Sequence, residues 1–168
     1  MSTLRRAATT LAAALLVAGC GQVAPPGERD PGAGSDARPV LADAQAYAQQ
    51  VADETNALRG DHGVPVLEAD DCAVEAALAR ARDLVGAGEL EHAALDAVIA
   101  ACAPPGGSAA ENLSRAAAPP TEVVDAWSRS PGHRSNLLDP ALTRLGVGCV
   151  VDETGTEPQM LCSQVFLG

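Results

Sequence analysis

The chain has 168 residues and a formal charge of −11 at neutral pH, with 47% hydrophobic but only 2% aromatic residues. So acidic a balance argues against nucleic acid as a partner, because affinity for a polyphosphate rests on Lys and Arg contacts. With one Trp, one Tyr and one Phe, the core must be built from Ala, Val and Leu, and covalent cross-links would help compensate.

Residues 1–19 read as an export signal. Arg5 and Arg6 form a positive start, and Ala7 to Ala18 a short apolar run, less than the roughly 20 residues of a bilayer span. The run closes in Leu16-Val17-Ala18-Gly19-Cys20, which resembles a bacterial lipobox. That resemblance implies that Cys20 becomes the first mature residue and carries a diacylglyceryl group, whose two acyl chains suffice for stable membrane anchoring. Loss of Arg5 and Arg6 with the signal takes the formal charge to −13, which keeps the folded part off an anionic bilayer. Residues 20–39, rich in Gly, Pro, Ala and charge, lack an apolar period and are expected to form a flexible tether. Residues 40–168 are the size of one domain.

Within it, Leu41 to Arg59 carries Ala44, Tyr47, Ala48, Val51, Thr55 and Leu58 at helical spacing. Gly60 and Gly63 stop this helix, and Pro65 starts an extended segment through Leu67. Asp70 or Asp71 caps a second helix, with Cys72, Ala76, Ala77, Ala81, Leu84 and Val85 inward, ending near Gly86 and Gly88. Ala93 to Cys102 is helical or irregular, and Ala110 to Ser114 is a short strand or turn. Pro119-Pro120-Thr121 opens a helix that turns Val123, Val124 and Trp127 to the core. Ser130 is placed to N-cap the next, with Pro131 at its first position and Leu138 at its end. Thr143 to Val151 and Gln159 to Leu167 are apolar strands, joined by a polar hairpin loop from Asp152 to Pro158. Helices first and strands last make an α+β domain.

Besides Cys20 there are four cysteines, Cys72, Cys102, Cys149 and Cys162. An even number in an exported domain reads as two disulfides with three possible pairings, and no CxxC spacing suggests a thiolate metal site. Cys72–Cys102 with Cys149–Cys162 is the favoured set, because the second pair flanks the hairpin and the first then ties the second helix to the region beyond His92.

Several short motifs occur in a telling order: Asn56, Arg59 and Gly63-Val-Pro-Val-Leu67; Leu90-Glu-His92; Ala110-Glu-Asn-Leu113; Ala126-Trp127 with Ser130-Pro-Gly-His133-Arg134, Asn136 and Leu137; Leu145-Gly-Val-Gly148; and Ser163-Gln-Val-Phe166. From about Gln45 to Phe166 the chain resembles the bacterial branch of the CAP superfamily, the cysteine-rich secretory, antigen 5 and pathogenesis-related type 1 proteins with their SCP domain. The resemblance implies a three-layer α-β-α sandwich with a central antiparallel sheet and a surface cleft. In many animal members the cleft carries two histidines and two acids and can take a divalent metal. His92 matches the first histidine and Glu111 the acid of the Gly-Glu-Asn motif, although Ala110 stands in place of the glycine. The second acid falls on Ser130 and the second histidine on Leu161. His133 is the extra histidine of the bacterial pattern.

The candidate cleft is therefore His92, Glu111, Asn112, Ser130 and His133. His92, Glu111 and His133 would make a two-imidazole, one-carboxylate site for a divalent metal such as zinc, and a metal-dependent, peptidase-like hydrolase would use Glu111 as base. The incomplete set argues against that reading. Ser130 is not expected to be a nucleophile, since a capping serine points at backbone amides and no third partner is evident. His62, in Gly60-Asp-His-Gly63, is expected in solvent, and Asn112, Arg134 and Asn136 are expected to hold the cleft's loops. The reading favoured is a lipid-anchored, extracytoplasmic envelope protein that binds a small apolar ligand or a protein partner through its cleft without catalysis, since the family it resembles is linked to sterol and lipid binding.

Overall fold

In the computed structural model, which describes residues 43–168, helix α1 (Ala44–Asp61) starts at Asp43. Its Oδ1 accepts from the backbone N–H groups of Gln45 and Ala46 at 3.1 and 2.9 Å. These would otherwise be orphan donors of the first turn, so the cap sets the boundary at Ala44 and not at Leu41. The expected export signal, Cys20 and the tether lie outside the described residues. Strand β1 (Glu68–Ala69) follows, then helix α2 (Asp71–Asp83), capped by Asp70 Oδ1 on the Ala73 N–H at 2.9 Å. Helix α3 (Asp96–Cys102), strand β2 (Ala109–Ala116), helices α4 (Pro120–Arg129) and α5 (Pro131–Leu138) and the hairpin of β3 (Arg144–Asp152) and β4 (Gln159–Leu167) complete the domain.

The sheet has the order β1-β3-β4-β2. The three long strands are antiparallel, as expected, but the two-residue β1 joins β3 in parallel, so the sheet is mixed. That edge is contributed by the chain just after the Pro65 segment, as it passes from one helical layer to the other. The alternative left open for Ala110 to Ser114 resolves as an eight-residue strand, because its partner β4 pairs along its whole length.

Helices lie on both faces. On one, Tyr47, Val51, Val123, Val124, Trp127 and Leu137 pack on Leu145, Val147, Met160 and Phe166. On the other, Ala73 and Ala77 meet Val165 and Leu167, and Leu84 meets Leu113 and Leu161. The result is the three-layer α-β-α sandwich. Val85, expected inward, is exposed, because α2 ends at Asp83 and the helical period stops before it.

On the second face the contact is backbone on backbone. A Cβ placed on Gly146 would lie 2.1 Å from the Ala73 carbonyl carbon, and one on Gly148 would lie 2.2 Å from the Leu78 nitrogen. Ala73, Ala77 and Ala81, one per turn of α2, are fully buried against the sheet. Both disulfides form as favoured: Cys72–Cys102 joins α2 to the end of α3, and Cys149–Cys162 links residues directly opposite in β3 and β4.

The largest wholly buried side chain is Arg59. Its Nε donates to Pro65 O at 2.7 Å, one terminal nitrogen to Leu137 O and Asp139 O at 2.8 and 3.1 Å, and the other to Leu142 O at 3.1 Å. Burial lowers its pKa from the ordinary arginine value, partly opposed by the charge of Asp139. The four carbonyls belong to three chain segments, so one guanidinium clips α1 to the loop before β1, to the end of α5 and to the link entering β3.

Gly146→Ala should cost about 3 kcal/mol or more, since the clash is with backbone. Gly60→Ala in α1 meets nothing within 4 Å and should be stabilising by up to about 1 kcal/mol; urea unfolding midpoints of the two variants give the comparison. By the same measurement Arg59→Met should lose about 3–5 kcal/mol, because it leaves four carbonyls without their charged donor.

Candidate functional site

Strand β2 is at the sheet edge, and α4 and α5 close that edge. Trp127 Nε1 donates to Leu113 O at 3.0 Å, and Asn136 Nδ2 donates to Glu111 O at 3.1 Å. Carbonyls that an edge strand would otherwise offer to another chain are thus satisfied within the domain. Strand alternation sends neighbouring side chains to opposite faces, so Glu111 points to the α2 face and Asn112 to the α1 face.

Asn112 is fully buried. Its Nδ2 donates to Gln164 Oε1 at 3.1 Å, and its Oδ1 accepts from Asn136 Nδ2 at 3.0 Å. Gln164 Nε2 continues the relay to Thr55 Oγ1 at 2.8 Å, which donates to Val51 O at 2.8 Å. Asn112 is therefore part of the cleft's foundation and does not face the cavity. Arg134 reaches only Ser128 O, at 3.4 Å, near the joint between α4 and α5. His62, at the end of α1, is exposed as expected, with Nδ1 2.9 Å from Leu58 O.

On the other face the Glu111 side chain is only 2% exposed. One oxygen accepts from His92 Nδ1 at 2.9 Å; the other accepts from Ser163 Oγ at 3.1 Å and lies 3.5 Å from Arg80 Nε. A carboxylate accepts, so His92 Nδ1 is the donor, and in the neutral ring Nε2 keeps its lone pair. His92 is half exposed, and its ring centroid is 6.4 Å from that of His133, which is in turn 6.4 Å from Trp127. Burial and the charge of His92 hold the His133 pKa below the ordinary imidazole value. Ser130 is the single residue between α4 and α5. Its N–H donates to Trp127 O and its C=O accepts from the Arg134 N–H, so the backbone alone turns the corner. Contrary to expectation its side chain makes no capping hydrogen bond.

A cavity of about 340 Å³ is lined by His92, Glu111, Ser130 and His133 together with Leu95 and Asn136. The structure thus gathers four of the five predicted site residues and places Asn112 beneath them. Sequence reasoning missed Arg80 and Ser163. Ser163-Gln164, two polar residues inside an apolar strand, was the available signal; Arg80, one charge among several on α2, carried none.

The fit to a metal can be tested on this geometry. Zinc ligands lie about 2.0–2.3 Å from the ion, so their donor atoms must converge. Among the described residues, the set of three or more His, Cys, Asp or Glu donors lying within 4.8 Å of one another is Asp70, Cys72 and Cys102, whose sulfurs form a disulfide. His92, Glu111 and His133 do not converge in this way, both Glu111 oxygens are engaged, and Leu161, at the second histidine position, is buried in the core. The residues present do not fit a metal ion.

Further along β2 a second groove, about 660 Å³, runs between the strand and α4. Leu90, Leu113, Ala116, Ala118, Val123 and Trp127 give it apolar walls, with Arg115, Glu122, Asp125 and Arg129 among the polar lining residues.

A three-layer sandwich with this His–Glu edge cleft defines a CAP-type, or SCP, domain. The chain belongs to the cysteine-rich secretory protein (CAP) family, whose model matches residues 52–166. It is 31% identical over 137 residues to the uncharacterized protein YkwD of Bacillus subtilis, covering 73% of this chain and 48% of that protein, so it spans about half that relative's length. An extracellular SCP-domain protein from Bacillus anthracis superposes with a TM-score of 0.59 at 26% identity, over 73% of this chain and 40% of the other. An outer surface protein from Borrelia burgdorferi shares the fold, with a TM-score of 0.56 at 19% identity, over 74% and 94%.

The sole tryptophan makes the cleft readable by fluorescence. An imidazolium beside Trp127 should quench it, so emission should fall on acidification with a midpoint below about 6.5, the ordinary histidine value, and His133→Ala should remove the transition. Because the folded pKa is the lower one, His133 costs no stability above about 6.5, and the domain weakens progressively as pH falls from there through the folded value; thermal melts along the same pH series check this.

Proposed function

We propose that this protein is an extracytoplasmic, lipid-anchored CAP domain of the bacterial cell envelope that binds a small apolar ligand without catalysis, in the groove between β2 and α4. The lipobox-like run ending in Cys20 supports anchoring. Two disulfides support an oxidising compartment, and structural relatives described as extracellular and outer-surface proteins agree with it.

The observation that carries the binding reading is the groove. Its volume lies in the roughly 300–1,000 Å³ range of small-molecule sites, and its apolar walls with a few polar groups match their usual lining. Its charges are largely paired: Arg129 with Asp125, and Arg115 with Asp152. The neighbouring cleft supports no hydrolytic reading, because Glu111, the base that a metal-dependent hydrolase would use, is buried and engaged at both oxygens.

Trp127 borders the groove, so titrating the full chain in non-ionic detergent with a brominated long-chain fatty acid tests the proposal. Saturable quenching in the wild type, weakened at least about tenfold by Leu90→Arg, is the expected result. Absence of quenching would overturn the groove as a ligand site. Ester or peptide hydrolysis lost in His92→Ala would replace the proposal with the catalytic reading.

A further inference from the structure

The family's cleft can take a divalent cation in many animal members, and here the same positions do not fit one. We infer that Arg80 adds to this exclusion: its guanidinium is the cleft's built-in counter-cation, opposing a divalent metal and leaving the two histidines as hydrogen-bonding groups.

Three observations meet at this side chain. Its Nε lies 3.5 Å from Glu111 Oε1 and is buried without a hydrogen-bond partner, so its tie to the carboxylate is one of charge. Its NH2 group donates to Glu91 O, the carbonyl immediately before His92. Glu111 is itself nearly inaccessible, so the charge of Arg80 beside it is little screened by solvent. Arg80 therefore acts twice. It neutralises the acid that would ligate a metal, and it fixes the segment carrying His92 so that Nδ1 stays on Glu111.

A divalent ion entering between the rings would meet this fixed positive charge and would have to win Glu111 away from it. With Arg80 gone, Glu111 is left as a buried, uncompensated carboxylate beside two imidazoles whose centroids are 6.4 Å apart. Bonds of about 2.0–2.1 Å from each ring nitrogen to one zinc ion then need only a modest movement of the freed segment. The inference concerns the cleft and stands or falls independently of ligand binding in the groove.

The test is calorimetric titration of zinc chloride into the full chain, with Arg80→Met, Arg80→Gln and Arg80→Lys alongside the wild type. Gln keeps a donor for Glu91 O and guards against a Met variant that fails to fold, which circular dichroism would reveal. The expected result is no stoichiometric binding to the wild type or Arg80→Lys. One zinc should bind to the neutral variants, at least about 100-fold more tightly than to wild type, and adding His133→Ala should abolish it. Wild-type binding as tight as that of the neutral variants would overturn the inference, as would a folded neutral variant that gains none.

Discussion

The close seating of α2 on the sheet governs what else this domain can do. Gly146 and Gly148 present bare backbone where other residues would hold the helix off, and Ala73, Ala77 and Ala81 let α2 settle into the space. Tight packing of small groups recovers dispersion energy that a core poor in aromatics otherwise lacks. It also has a positional consequence. A helix this close brings Arg80 within reach of Glu111, and the chain leaving α2 must return across the same face, which lays His92 over the edge strand.

Around this contact the domain is fastened by cations that cap carbonyls. Arg59 gathers four of them on the first face. On the second, Arg115 donates to Leu84 O at 2.9 Å and Ala87 O at 2.7 Å, with Asp152 3.1 Å from its Nε. Asp152 is held below the ordinary carboxylate range first by the Thr154 hydroxyl and amide, then by the Gly86 amide and Arg115, against the opposing effect of burial. A depressed carboxylate contributes stability above its unfolded pKa and loses it as pH falls through the folded one, so acid loosens the hairpin and the end of α2 together. Two disulfides reinforce a domain in which few large side chains are available.

The edge strand β2 separates two environments. At its start, Glu111, His92, Ser130 and His133 make a small polar cleft whose only buried acid is already engaged. Toward its end, β2 and α4 make a larger groove with apolar walls. Trp127 belongs to both neighbourhoods: its indole N–H closes the strand edge, its ring borders the groove, and its other neighbour is His133. The buried acid of the cleft faces an arginine, Arg80, a feature of the site and not of the fold, and fold alone does not settle chemistry.

Much of this architecture was legible from the residues. Local rules were enough for most of the helices, because Asp70 and Pro131 mark two of their starts and the 3.6-residue period marks their buried faces, although the first begins at the Asp43 cap and not at Leu41. The β3–β4 hairpin was equally plain from its apolar strands and polar turn, and it favoured the Cys149–Cys162 pair among the three possible pairings, the one the structure forms. Motif order pointed to His92, Glu111 and His133 as neighbours. What the sequence by itself determined was thus most of the elements, the family and four of the residues that line the cleft. Only the tertiary structure decided that Asn112 lies beneath the cleft, that Ser130 turns the α4–α5 corner by backbone alone, that β1 adds a parallel edge and that Arg80 holds Glu111. The physical reason is range: caps and periods act within a few residues, whereas the Arg80–Glu111 contact joins groups 31 positions apart, brought together only when α2 settles onto Gly146 and Gly148.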